Sequence, residues 1–166
     1  MRPADANETA AAWRIAVASG GPTAMITTRQ NVPVLAGTSA EGVANGAYVL
    51  QDNDNAAVTL VGTGSEVSVC VEAAGALAAE GIGARVVSMP CWELFEAQSG
   101  DAQAAVIAPD LPSIAIEAGV TMGWHRWVDD VVGIDRFGAS APGGTVMTEL
   151  GITSEHLVAR AKALLA

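Results

Sequence analysis

The sequence predicts an α/β fold, a three-layer domain in which a mainly parallel sheet is covered on both faces by helices. Three observations lead there. From residue 48 onward, apolar runs of strand length alternate with segments of helical periodicity, the pattern of consecutive strand-helix-strand units. Turn-forming clusters such as Asp52-Asn53-Asp54-Asn55 separate these runs. Hydrophobic residues make up 51 % of the chain but aromatics only 4 %, so the core is mostly small aliphatic side chains, which suit helices packed closely on a sheet. At 166 residues the chain accommodates one domain of ordinary size plus an appendage.

The elements follow in order. Asn7-Glu8-Thr9 precedes a run of good helix formers, Ala10 to Ala18, which Gly20-Gly21-Pro22 ends. Thr23 to Thr28 is rich in β-formers and reads as a strand. From Val32 to Ala47 the composition shifts to Gly, Ser, Ala and Pro without periodicity, as in a linker. Five further strands are expected at Tyr48 to Gln51, Ala57 to Val61, Ala84 to Met89, Ser113 to Glu117 and Val131 to Ile134. Between them, Glu66 to Glu80 carries a helical apolar face of Val67, Cys70, Val71, Ala74 and Leu77, with Gly81 as terminator. Trp92 to Ala97 and Ala102 to Ile107 read as short helices. Gly143-Gly144 leads into another, and Thr153 caps a last helix through Leu165.

Charge narrows the range of partners. Eight basic residues stand against eighteen acidic ones, a formal net charge of -10. Such a chain repels phosphate backbones and anionic lipid, and no Lys/Arg cluster overrides that, so neither nucleic acid nor a membrane is expected as partner. Cys70 and Cys91 lack the spacing of a zinc site or redox pair, which points to a reducing cytoplasm. The N-terminus reaches acidic residues at once, unlike a secretory signal, and Glu72 and Glu80 break the longest apolar helical stretch.

Arg29 is the leading candidate for function. A β-rich run delivers this scarce cation to a turn, Thr28-Arg29-Gln30-Asn31-Val32-Pro33, where open α/β sheets usually present ligand-binding groups. Two roles are open to it: an anion clamp, or an ion pair with one of the many carboxylates. Gly62-Thr63-Gly64-Ser65-Glu66 joins a buried strand to a helix start and is either a tight turn capped by Ser65 or a ligand loop. It has no phosphate-loop lysine, and Val67 stands where a dinucleotide fingerprint has its third glycine.

The other polar constellations read as structural. Asp52 and Asp54 begin like a calcium loop, but Ala56, Ala57 and Thr63 fill the next diagnostic positions. Glu93 and Glu96 fit a short amphipathic helix better than an acid/base pair, and Asp129, Asp130 and Asp135 fit turns and strand ends. His125, between Trp124 and Arg126, is expected to stack and hydrogen-bond, and His156 to be solvated. Ser140 lacks a nucleophile elbow, and both cysteines read as small buried hydrophobes.

Several segments, taken in order, resemble the C-terminal part of transketolase. They are Arg2-Pro3-Ala4-Asp5-Ala6-Asn7-Glu8-Thr9, the Arg29 turn, Thr63-Gly64-Ser65-Glu66-Val67, Ser88-Met89-Pro90-Cys91-Trp92-Glu93-Leu94-Phe95, and Gly133-Ile134-Asp135-Arg136-Phe137-Gly138-Ala139-Ser140-Ala141-Pro142. The resemblance runs essentially end to end. It implies an enzyme that transfers two-carbon ketol units between sugar phosphates, in the pentose phosphate pathway, as a cytoplasmic homodimer. It also implies thiamine diphosphate with Mg2+ or Ca2+ as cofactors, whose ligands lie outside these residues. Arg29 matches the family's substrate-phosphate arginine, with Gln30 and Asn31 as motif neighbours, and no catalytic, cofactor-binding or metal-binding residue carries over.

On this reading residues 1–31 are the terminal helix and strand of a pyrimidine-binding domain, 32–47 a linker, and 48–166 the complete C-terminal domain. That domain is expected to hold about five strands with one antiparallel edge. The chain alone is expected to be inactive, and residues 2–28, separated from their natural neighbours, to be mobile, docked irregularly or involved in self-association. The alternative is a non-catalytic dimerisation or small-effector-binding module, with the effector at the Gly62 to Ser65 turn.

Overall fold

A computed structural model describes residues 1–166. Five strands form one sheet: β1 (Tyr48–Gln51), β2 (Ala56–Gly62), β3 (Gly83–Ser88), β4 (Ser113–Ile116) and β5 (Asp130–Val132), in the spatial order β1-β3-β2-β4-β5. Pairs β2-β3, β2-β4 and β4-β5 are parallel, with Leu60 opposite both Val86 and Ile114, while β1 runs antiparallel to β3 along the edge. This is the predicted architecture, antiparallel edge included.

Side-chain alternation along each strand divides the interior into two cores. Val58, Leu60, Val86, Ile114, Ile116 and Val132 point to one face, where they pack under α3 (Glu66–Ala79) and α7 (Ser154–Leu164). Val61, Val87, Ala115 and Val131 point to the other, against Phe95 of α4 (Trp92–Glu96), Ile107 of α5 (Gly100–Ile107) and Trp124 in a 3-10 turn, Trp124–Arg126. A remaining short helix, α6 (Gly143–Glu149), precedes α7.

The N-terminal region departs from expectation in three ways. First, helix α1 (Ala6–Ala18) starts four residues early, because Asp5 caps it by accepting the Glu8 amide at 2.9 Å. It is also docked: Ala4, Ala11 and Ala12 belong to the first core, so within this helix only the outward Trp13 and Val17 fit the expectation of a tail lacking neighbours. Second, residues 32–47 contain α2 (Ala40–Ala44), capped by Ser39 and anchored by the fully buried Val43. Five residues are too few to declare a helical period.

Third, Thr23 to Thr28 forms no strand. A strand exists only with a ladder partner, and this segment exchanges just two backbone bonds with Met1, whose amino group donates to Ala24 O (2.8 Å) and whose carbonyl accepts from Ile26 N (2.9 Å). No helix is long and apolar enough to cross a membrane.

Candidate functional site

The Arg29 turn is built locally. The Thr28 hydroxyl accepts the Gln30 amide at 3.0 Å, a side-chain-closed turn that leaves Arg29 at its apex. Five of the eight basic residues are ion-paired, to Glu66 and Glu117, Asp52, Glu96, Asp130 and Glu80. Arg29 is not among them. It is exposed and makes no hydrogen bond or ion pair within the chain, which removes the carboxylate-pair reading and leaves five N-H donors free for an external anion. Beside it lies a groove of about 370 Å³, lined by Thr28, Gln30, Val32, Ser65, Met147 and Ile152. The turn therefore stands where the N-terminal region meets α3, α6 and the start of α7.

The second candidate, the Gly62 to Ser65 turn, sits at the topological switch point. After β2 the chain crosses to β3 on one side, and β4 lies on the other, so a crevice opens outside the carboxyl ends of β2 and β4. Arg2 fills it. The Arg2 guanidinium bonds Glu66 Oε2 at 3.0 Å and pairs with Glu117, while its carbonyl accepts from Gly64 N at 3.0 Å. Glu66, wholly buried, also accepts the Ala118 amide (3.0 Å) and the Ser65 hydroxyl (2.7 Å), and Glu117 accepts Trp124 Nε1 at 2.6 Å. Ser65 thus donates to a carboxylate and does not cap α3. The Gly64 amide is taken by the Arg2 carbonyl and the Arg2 charge by two carboxylates, so neither is left for an anionic effector, which disfavours a site at this turn.

Remaining candidates take structural places. Asp52 is gripped by Arg85 through two bonds, of 2.8 and 3.1 Å, and that contact holds its carboxyl below the ordinary 3.8. Glu93 accepts the Cys91 thiol at 3.3 Å, and Glu96 pairs with Arg126. Asp129 accepts the Ser113 amide and hydroxyl (2.8 and 2.9 Å), and Asp135 those of Thr121. His125 is exposed and unstacked. It is Arg126 that lies over the Trp127 ring, 4.8 Å from the centroid, since a guanidinium can stack and pair with Glu96 at once. His156 is exposed, its Nδ1 2.8 Å from Gly151 O. Ser140 is exposed, and burial pushes both thiols above their ordinary value, which keeps them protonated.

Arg2 and Glu8 were missed as organising residues. Glu8, wholly buried, accepts from Ala4 N (2.7 Å), Tyr48 Oη (2.7 Å) and Ser88 Oγ (2.6 Å), tying α1 to β1 and β3. Asp5-x-x-Glu8 is a capping-box spacing, so half of that signal was present in the sequence. The long-range half was not.

Comparison with known proteins agrees with this geometry. A family described as "Transketolase-like TK C-terminal domain" matches residues 46–153. The transketolase of Halalkalibacterium halodurans is 51 % identical over 99 % of this chain and 26 % of its own length. Among solved structures, transketolase from Leishmania mexicana superposes with a TM-score of 0.96 at 42 % identity, over 99 % of this chain and 24 % of that one. Pichia stipitis transketolase, described as a complex with sedoheptulose-7-phosphate, does so with a TM-score of 0.92 at 38 % identity, over 98 % of this chain and 24 % of that one. The chain spans about a quarter of the length of these relatives. It belongs to the transketolase family and carries that family's C-terminal domain.

Proposed function

We propose that this chain acts as the C-terminal part of a transketolase, in which Arg29 binds the terminal phosphate of the sugar substrates. The observation that carries this is a permanently charged guanidinium, left without a partner in a chain rich in carboxylates, at the apex of a turn beside a groove. A planar fork suits a phosphate dianion, and binding energy from that remote group helps orient the reacting carbons. Arg29 positions the sugar and takes no part in bond making. The Pichia stipitis relative's complex with a sugar phosphate supports the substrate class.

Thiamine diphosphate and its divalent metal would supply the carbanion chemistry of the enzyme, but the residues here do not fit them. Asp52, Glu66, Glu117 and Glu8 are each committed to internal donors, and no three His, Cys, Asp or Glu side chains converge as metal ligands. We therefore assign cofactor and metal to the three quarters of the relatives' length that this chain does not span. The same reading makes residues 1–31 the end of a pyrimidine-binding domain and 32–47 a linker, and the enzyme a cytoplasmic homodimer.

The test is a chimera in which these 166 residues replace the matching segment of Halalkalibacterium halodurans transketolase. With glycolaldehyde as acceptor, kcat/KM is measured for xylulose 5-phosphate and for xylulose, and their ratio reports phosphate recognition. Arg29→Ala is expected to lower that ratio about 10- to 100-fold, the worth of hydrogen bonds to a charged group. A folded chimera without ketol transfer, or an unchanged ratio, would sink the proposal. The 166-residue chain by itself is expected to show no turnover.

A further inference from the structure

The Arg29 turn does not stand alone, and what holds it comes from more than a hundred residues away. The Gln30 side chain lies against Gly143, the first residue of α6. A Cβ built on Gly143 would fall 2.5 Å from Gln30 Nε2, 2.8 Å from Cδ and 2.9 Å from Oε1. All three distances are below any real Cβ contact, so the amide occupies space that only a glycine leaves open. The requirement is one of space, since the φ of Gly143 lies outside the range that L side chains avoid. One helical turn further on, Met147 of α6 lines the groove together with Thr28, Gln30 and Val32. The turn is thus bounded by α6 at Gln30, while its own closure is the Thr28-Gln30 bond. Apart from that bond, residues 27–31 make no hydrogen bond within the chain.

We infer that Gln30 and Gly143 form a packing brace through which the C-terminal domain sets the position of Arg29, so that this domain governs discrimination for phosphorylated sugars. The inference rests on the phosphate role of Arg29 proposed above. An arginine fork discriminates only when its donors are held against the phosphate, and a displacement of about 1 Å is enough to lose much of its orienting effect. Gln30 and Gly143 are positioning residues that need not touch the substrate. Because the crowded atoms are the far end of a flexible side chain, Gly143→Ala should expel the Gln30 amide without unfolding α6.

The chimera separates the possible outcomes. Gly143→Ala and Gln30→Ala are each expected to lower the xylulose 5-phosphate to xylulose ratio by about fivefold or more, mainly through KM for the phosphorylated sugar. In a Gln30→Ala background, Gly143→Ala should have no further effect, since the atom it displaces is gone. If Arg29→Ala lowers the ratio while the other two leave it alone, the brace is refuted and the phosphate role stands. If Arg29→Ala also leaves it alone, the phosphate role itself fails. Equal losses from Gly143→Ala with and without Gln30 would refute a brace acting through that contact. An independent check uses the 166-residue chain and NMR: a nuclear Overhauser contact between the Gln30 amide and Gly143 Hα is expected, with larger-amplitude motion of residues 28–31 in Gly143→Ala. Absence of that contact in the parent chain overturns the inference whatever the kinetics.

Discussion

Buried Glu8 shows how one side chain joins regions that the sequence separates. Its two oxygens accept from Ala4 N, Tyr48 Oη and Ser88 Oγ, so removing it strands three donors in a dry interior. The Tyr48 hydroxyl is pushed well above its ordinary value, first by burial and then by the Glu8 charge, and remains a donor at any physiological pH. Glu8→Ala should destabilise the chain by about 3 kcal/mol or more, read as a fall in the urea midpoint with an unchanged slope, whereas Tyr48→Phe, which removes donor and not acceptor, should cost about 1 kcal/mol. A Glu8→Ala midpoint indistinguishable from the parent would show that water reaches these donors. At this scale the sequence was a partial guide. Asp5 and Glu8 carried a helix-start signal, but the partners of Glu8 lie forty and eighty residues away, and nothing local reports them. His125 misled for the same reason, because its place among aromatics in the sequence did not decide which neighbour faced a ring.

Among the elements, those with a clear period were legible and those held by tertiary contact were not. All five strands of the sheet fall where the apolar runs put them, and α3 spans the predicted stripe, because burial on a sheet imposes periods of 2 and 3.6 on the sequence directly. The reverse failure is Thr23 to Thr28, where β-propensity without a ladder gives no strand. Helix α2 was invisible, yet it leads into a close backbone joint. Gly46, at φ +83°, follows it, and a Cβ there would lie 2.2 Å from Phe95 N and 2.5 Å from Cys91 O, backbone atoms of the first turn of α4. Gly46 O accepts the Cys91 amide at 3.0 Å in the same contact. Gly46→Ala must therefore strain its own backbone and push α4 off the second core. We expect a loss of about 3 kcal/mol or more, with a change in near-ultraviolet circular dichroism from Trp92 and Trp124, whose rings meet edge to face at 4.9 Å.

Over the whole molecule, stability should be uneven along the N-terminal region. Helix α1 is bonded through Asp5 and Glu8 and packed on the first core, whereas in Thr23 to Thr28 only Ile26 donates a backbone bond. Native-state hydrogen exchange should accordingly be slow in the buried half of α1, near that of Val58 to Val61, and fast in 23–28. Uniformly fast exchange from residue 1 to 28 would show that the docking of α1 does not persist in solution. The sequence by itself determined the fold class, the strands, and a family resemblance that singled out Arg29, because each rests on local pattern or on motifs contiguous in the chain. Only the tertiary structure decided that Arg29 has no partner of its own, that Arg2 is paired inside the switch-point crevice, and that Gln30 rests on Gly143. These are contacts between residues far apart in sequence, and the local chemistry of either side does not specify them.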